Sequence, residues 1–204
     1  MPEDHDDTLA EAWYARKSAL MEQWLGKEHD MVMHSMIPYG LGGGLDLYYF
    51  PHDIPGTAIA TKELCELPGA GSSNAVFATY ELVMFTRYPL ALDDAQDETT
   101  DFGKAHRVIK AILNCMAPYS AEATLNPYET CEFPADMETV GGKCLIFDAY
   151  GLEAEHADFG LLAIIEIHRS EMDYAREFGG RDLLEKLKDA GYYPYSDLAR
   201  PAVV

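Results

Sequence analysis

The chain has 204 residues and sets 35 Asp and Glu against 15 Lys and Arg, a formal net charge of −20 at pH 7. With 48% hydrophobic and 11% aromatic residues it can bury a sizeable core, which excludes a disordered chain and a disulfide-dependent miniprotein. The charge opposes nonspecific binding to nucleic acid or to an anionic membrane, because phosphates attract basic proteins.

At about 150 residues per domain the length fits one domain, and no internal repeat or linker divides it. The opening residues Met1 to Asp7 carry four acids and no Lys or Arg, the opposite of a signal-peptide start. The longest apolar run, Phe159-Gly-Leu-Leu-Ala-Ile-Ile165, is far short of the ~20 residues that cross a bilayer. Cys65, Cys115, Cys131 and Cys144 are widely spaced with no C-x-x-C pair, so neither a zinc finger nor a thioredoxin-like redox site is expected. A cytoplasmic protein with reduced thiols follows.

Thr8-Leu-Ala-Glu11 has the spacing of a capping box. Leu9, Trp13, Leu20 and Trp24 recur behind it at helical spacing, which predicts a helix over 8–28. Gly42-Gly-Gly44 lacks the Lys-Ser/Thr of a phosphate loop and reads as a bend. The period then changes to two: Leu45 to Phe50, closed by Pro51, predicts a strand, as do Thr57 to Thr61 and Val76 to Thr86. Residues 93–101 hold five acids and no base, a solvated loop.

Val108, Ile109, Ile112, Leu113 and Met116 predict a helix over 105–116 that Pro118 either ends or closely follows. Residues 119–142 are turn-rich. Two further strands are expected over 143–150 and 160–168, the second apolar on both faces and therefore central. Ser170 is the expected cap of a helix that breaks at Gly179-Gly180, resumes through Leu187 and stops near Gly191. The fold class is α+β: one domain (29–204) with a mixed or antiparallel sheet of about five or more strands packed with helices. The acidic N-terminus and amphipathic helix (1–28) precede it.

Two clusters could carry chemistry. Glu153, Glu155 and His156 bunch in one acidic segment, and Glu166 and His168 share one face of a predicted strand. Three N/O ligands with an open water position would suit catalytic zinc and a metal-dependent hydrolase. Neither has a recognised ligand spacing, and G-x-S-x-G and dinucleotide fingerprints are absent. The residues thus assign no catalytic group, no metal and no cofactor, and they set no oligomeric state.

Several segments, in order, resemble the suppressor-of-fused domain family, chiefly its bacterial single-domain members. Leu45-Asp-Leu-Tyr-Tyr-Phe-Pro51 is similar to an aspartate–aliphatic–tyrosine strand ending in Phe-Pro, and Tyr80-Glu-Leu-Val-Met-Phe85 to the family's Glu-Leu-Val strand. Phe159 to His168, followed by Glu171-Met-Asp-Tyr-Ala175, resembles its final strand and helix. Where the family commonly has Thr-Ser-Gly-hydrophobic-Ser-Asp, this chain has Thr61-Lys-Glu-Leu-Cys-Glu66. The resemblance implies a non-enzymatic protein-binding module, and for bacterial members an immunity-type inhibitor of a toxin. A basic protein partner suits the charge, since acidic inhibitors gain steering and complementarity against basic channels. The expected contacts are the acidic loop Asp93, Asp94, Asp97 and Glu98, the turn acids Glu63 and Glu66, and Tyr88.

Overall fold

The computed structural model describes residues 3–152 and 157–204, with side chains from residue 8 onward. In chain order the elements are α1 (Glu3–Leu25), β1 (Tyr48–Phe50), β2 (Thr57–Ala60), β3 (Tyr80–Thr86), α2 (Asp101–Glu122), β4 (Thr130–Glu132), β5 (Cys144–Tyr150), β6 (Gly160–Ile167), α3 (Arg169–Phe178) and α4 (Gly180–Asp189). The strands form one mixed sheet in the order β1-β2-β3-β6-β5-β4. Only β3 and β6 run parallel, with Tyr80 opposite Gly160 and Val83 opposite Ala163; the other neighbours are antiparallel. The apolar β6 is central, as its two-faced pattern requires.

Alternation along the strands divides the core between the two faces. On one, Ile109, Ile112, Leu113 and Met116 of α2 meet Tyr80, Leu82 and Met84 of β3, Leu162 and Ile164 of β6, and Leu145 and Phe147 of β5. On the other, α1 covers Phe50, Val83, Phe85, Leu161 and Ala163. Met172, Leu183, Leu184 and Leu187 of α3 and α4 cover Cys144, Ile146, Ile165 and Ile167. Three layers result, helices on both sides of a sheet.

Element boundaries moved where local chemistry competed with the pattern. Helix α1 begins before Thr8, so Thr8 and Glu11 lie inside it rather than at its start. Its buried stripe is Trp13, Lys17, Met21 and Leu25; Leu20 and Trp24 are half-buried beside it and Leu9 is exposed. The first strand shortens because Leu47 turns away to exchange hydrogen bonds with Met33, at 3.0 and 3.1 Å. Residues 76–79 fall outside β3, since Asn74 Oδ1 accepts from the N–H groups of Val76 and Phe77 and bends the chain.

Helix α2 runs on through Pro118 to Glu122. Its last turn is held from outside: Ser120 is buried, and its Oγ lies 2.8 Å from Ser72 Oγ and donates to Ala117 O. Packing there outweighs the one N–H that proline lacks. The three-residue edge strand β4 sits in the stretch read as turns, being too short to show a period. His168 rather than Ser170 is the cap of α3.

Candidate functional site

The centre of the site is Glu81, a fully buried carboxylate on the α1 side of β3. Such a charge persists in a core only when paired and hydrogen-bonded. Lys17 Nζ lies 2.9 Å away, Thr61 Oγ1 donates at 2.6 Å, and the N–H groups of Leu64 and Cys65 donate at 3.2 Å. The segment 61–66 is thus wrapped around one carboxylate. Lys17 Nζ also donates to the carbonyls of Lys62 and Cys65, and Trp13 Nε1 donates to Cys65 O at 3.0 Å. Helix α1, the turn and β3 form one polar knot inside apolar packing. Burial and the Glu81 charge push the Cys65 thiol up, so this cysteine stays protonated.

Around this knot lies a cavity of about 460 Å³, walled by Glu11, Tyr14 and Lys17 of α1, Tyr48 of β1, and Lys62, Glu63 and Glu66 of the turn. Its two lysines are already committed. Lys17 serves Glu81, and Lys62 pairs with Glu28, reaches Ser18 Oγ at 3.0 Å and lies 5.1 and 4.9 Å from the Tyr14 and Tyr48 ring centres. Glu63 is half-buried, and its Oε2 accepts from Asp46 N at 2.7 Å. Burial, then the charges of Asp46, Glu81 and Glu66, push its carboxyl above the usual range, against the pull of that N–H. The groove thus carries more negative charge than its own cations neutralise.

Glu63 and Glu66, expected from sequence, both line this groove. The acidic loop belongs to the entry of α2, in a different layer. Asp93 and Asp94 lie in the short 3-10 helix Leu92–Asp94, and Asp97 Oδ1 accepts from Thr99 N and Oγ1 at 2.9 and 2.7 Å, which lowers its pKa. Glu98 pairs with Arg107. Thr100 caps α2, its Oγ1 accepting from Gly103 N at 3.0 Å. Tyr88 is half-buried, its phenol pushed up by burial and by the charges of Asp101 and Asp197. Among the described residues no hydrogen bond joins the two sets.

The His/acid candidates separate as well. Glu153, Glu155 and His156 lie outside the described residues. His168 stands past the end of β6, not on its face with Glu166. Its ring accepts from the Glu171 backbone and Nε2–H donates to Arg200 O at 2.9 Å. Glu166 is buried and paired with Lys143. Among the described residues no group of three His, Cys, Asp or Glu could hold a metal ion.

The sequence pattern assigns no site role to Lys17, Lys62, Tyr14, Tyr48 or Glu81. One signal was present: Lys17 falls at the spacing of four between Trp13 and Met21, inside an apolar stripe. An embedded lysine needs a buried partner.

No family model and no curated protein matches the chain. Solved structures do. A chain of the Sufu–Fu complex aligns with a TM-score of 0.60 at 14% identity, over 96% of this chain and 92% of that one. A suppressor of fused homologue from Neisseria gonorrhoeae aligns at 0.56 with 11% identity, over 91% and 93%. Drosophila Suppressor of Fused aligns at 0.54 with 13% identity, over 86% of this chain but 45% of that longer one. The chain has a suppressor-of-fused-like fold.

Proposed function

We propose that this chain is a non-enzymatic protein-binding module whose partner is a basic protein, specifically a toxin domain that it neutralises in the cytoplasm as an immunity-type inhibitor. The observation that carries the reading is the disposition of charge. Among the described residues, eleven of the fifteen Lys and Arg side chains sit in ion pairs with only ten carboxylates, out of 35 acids in the chain. The bases are largely used internally, and the outward field is that of the remaining acids. Such a field steers a cationic partner and raises its association rate. That a chain of similar fold was solved in a Sufu–Fu complex supports a protein partner in general.

The test mixes the protein with basic toxin domains encoded beside its own gene and follows binding kinetics against salt. Association should slow by about an order of magnitude from low to physiological salt, with dissociation changing less. Turnover of a small substrate, lost on chelation or in His168→Ala, would overturn the proposal in favour of a metal-dependent enzyme.

A further inference from the structure

The segment 31–44 leaves four large apolar side chains in water within eleven residues: Met31 59%, Met36 101%, Ile37 57% and Leu41 80% exposed. Single exposed hydrophobes need no explanation, whereas a cluster marks a contact surface. The loop is also firmly built. Ser35 N donates to Asp46 Oδ1 at 2.8 Å, Gly44 N to Ile37 O at 3.1 Å, and Leu45 N to Asn114 Oδ1 at 2.9 Å. Gly43 packs so closely that a Cβ there would stand 1.8 Å from Ile37 O. The apolar tip is therefore held ready, and a partner would face little ordering cost on this side.

The loop and the acidic groove are joined. Asp46 holds Ser35 and His34 of the loop through its carboxylate while its own N–H donates to Glu63 in the groove. Tyr39, in the 3-10 helix Tyr39–Leu41, lies near enough to Glu63 and Glu81 that, after burial, their charges push its phenol up. On its other flank the loop meets a cation, with Lys110 Nζ 3.8 Å from Met33 Sδ. That fixes a polarity: apolar tip, anionic groove on one side, positive charge on the other.

We propose that residues 31–44 and the Glu63/Glu66 groove form one docking surface for an amphipathic basic segment of the partner, with apolar side chains on Met36, Ile37 and Leu41 and an arginine in the groove. This rests on the basic-partner reading and gives it a location. Charge complementarity selects the occupant, since Lys17 and Lys62 are spent and Glu63 and Glu66 are not matched by them. Arginine fits better than lysine because its planar, weakly hydrated guanidinium stacks on rings such as Tyr14 while bonding a carboxylate in two places. A second copy of this chain would bring another −20 against the same groove.

The test uses a fluorescein-labelled twelve-residue peptide of alternating Leu and Arg, with Ser-for-Leu and Lys-for-Arg versions, read by anisotropy near physiological salt. Glu63→Gln/Glu66→Gln and Met36→Ser/Leu41→Ser should each weaken binding about ten-fold or more. The equal-charge control Asp93→Asn/Asp94→Asn should change it less than about two-fold, and both altered peptides should bind more weakly. Equal loss in all charge variants, or none in Met36→Ser/Leu41→Ser, would overturn the surface. Loss confined to Asp93→Asn/Asp94→Asn would overturn it too, while leaving a basic partner in place at the other loop. Self-association abolished by Met36→Ser would make a second copy the occupant and overturn the assignment.

Discussion

Replacing Lys17 by methionine keeps the length of the side chain and deletes the ammonium, which isolates the contribution of the Lys17–Glu81 pair. Both side chains are essentially sealed from solvent, at 1% and 0% exposure, so the substitution strands a buried carboxylate. Breaking a buried pair on one side costs about 3–5 kcal/mol. Two details of the structure bear on where in that range the loss falls. Glu81 keeps donors from Thr61, Leu64 and Cys65, which soften it. Lys62 O loses the Lys17 donor, adding about 1 kcal/mol, whereas Cys65 O retains Trp13 Nε1. At roughly 2–4 °C per kcal/mol for a domain of this size, Tm should fall by about 6–20 °C. Both tryptophans, Trp13 and Trp24, lie in α1, so urea melts followed by fluorescence report its detachment while far-UV circular dichroism reports the whole fold. Lys17→Met combined with Glu81→Gln should recover about 2–3 kcal/mol of the summed single losses. A single-variant loss below about 1 kcal/mol with no coupling would mean a solvated pair and a peripheral helix, and would refute the argument.

Trp13→Ala should cost about 3–5 kcal/mol in urea melts, since the ring is buried, meets Phe159 edge-on with centroids 5.9 Å apart and donates to Cys65 O. Glu171 is also buried; although burial pushes its carboxyl up, Arg200 and the N–H groups of His168 and Val203 hold it below the ordinary 4.5. A depressed folded pKa means stability present above the ordinary value and lost as pH falls through the lowered one. Glu171→Gln should flatten the acid limb of a stability–pH curve while costing about 3–5 kcal/mol at pH 7, and an unchanged acid limb would count against the clasp. Glu63 has the opposite sign: its raised folded pKa favours the fold below the ordinary 4.5, and that contribution is lost as pH rises through the raised value. Glu63→Gln, which can still accept from Asp46 N, should leave stability at pH 7 unchanged or raise it by under about 1 kcal/mol, as thermal melts would register.

A stabilising Glu63→Gln would have a simple meaning. A carboxylate kept where its neighbours repel it costs folding energy, and a cationic partner seated in the groove would relieve that repulsion. The Lys17–Glu81 pair does the reverse, anchoring the wall opposite. One acid holds the site together, and the other is the proposed contact for a partner.

Periodicity by itself determined the α+β class, five of the six strands, the helical segments and the central place of β6, because alternation of period two and a two-faced apolar run are properties of the chain alone. The same pattern placed Trp13 on the buried side of α1, whereas the turn that carries Glu63 and Glu66 came from the family resemblance. It was silent on β4, whose three residues are shorter than any period. It misjudged Pro118, because the packing of Ser120 against Ser72, 48 positions away, holds the helix past the missing N–H. The site itself was a tertiary decision. Lys17 is 45 positions from Lys62 and 64 from Glu81, and nothing local to any of them says that the turn 61–66 folds around Glu81 while α1 supplies the cation. Burial creates the requirement for a partner, but only the three-dimensional path of the chain decides which residue meets it. That same path consumed two lysines inside the groove and left Glu63 and Glu66 facing it.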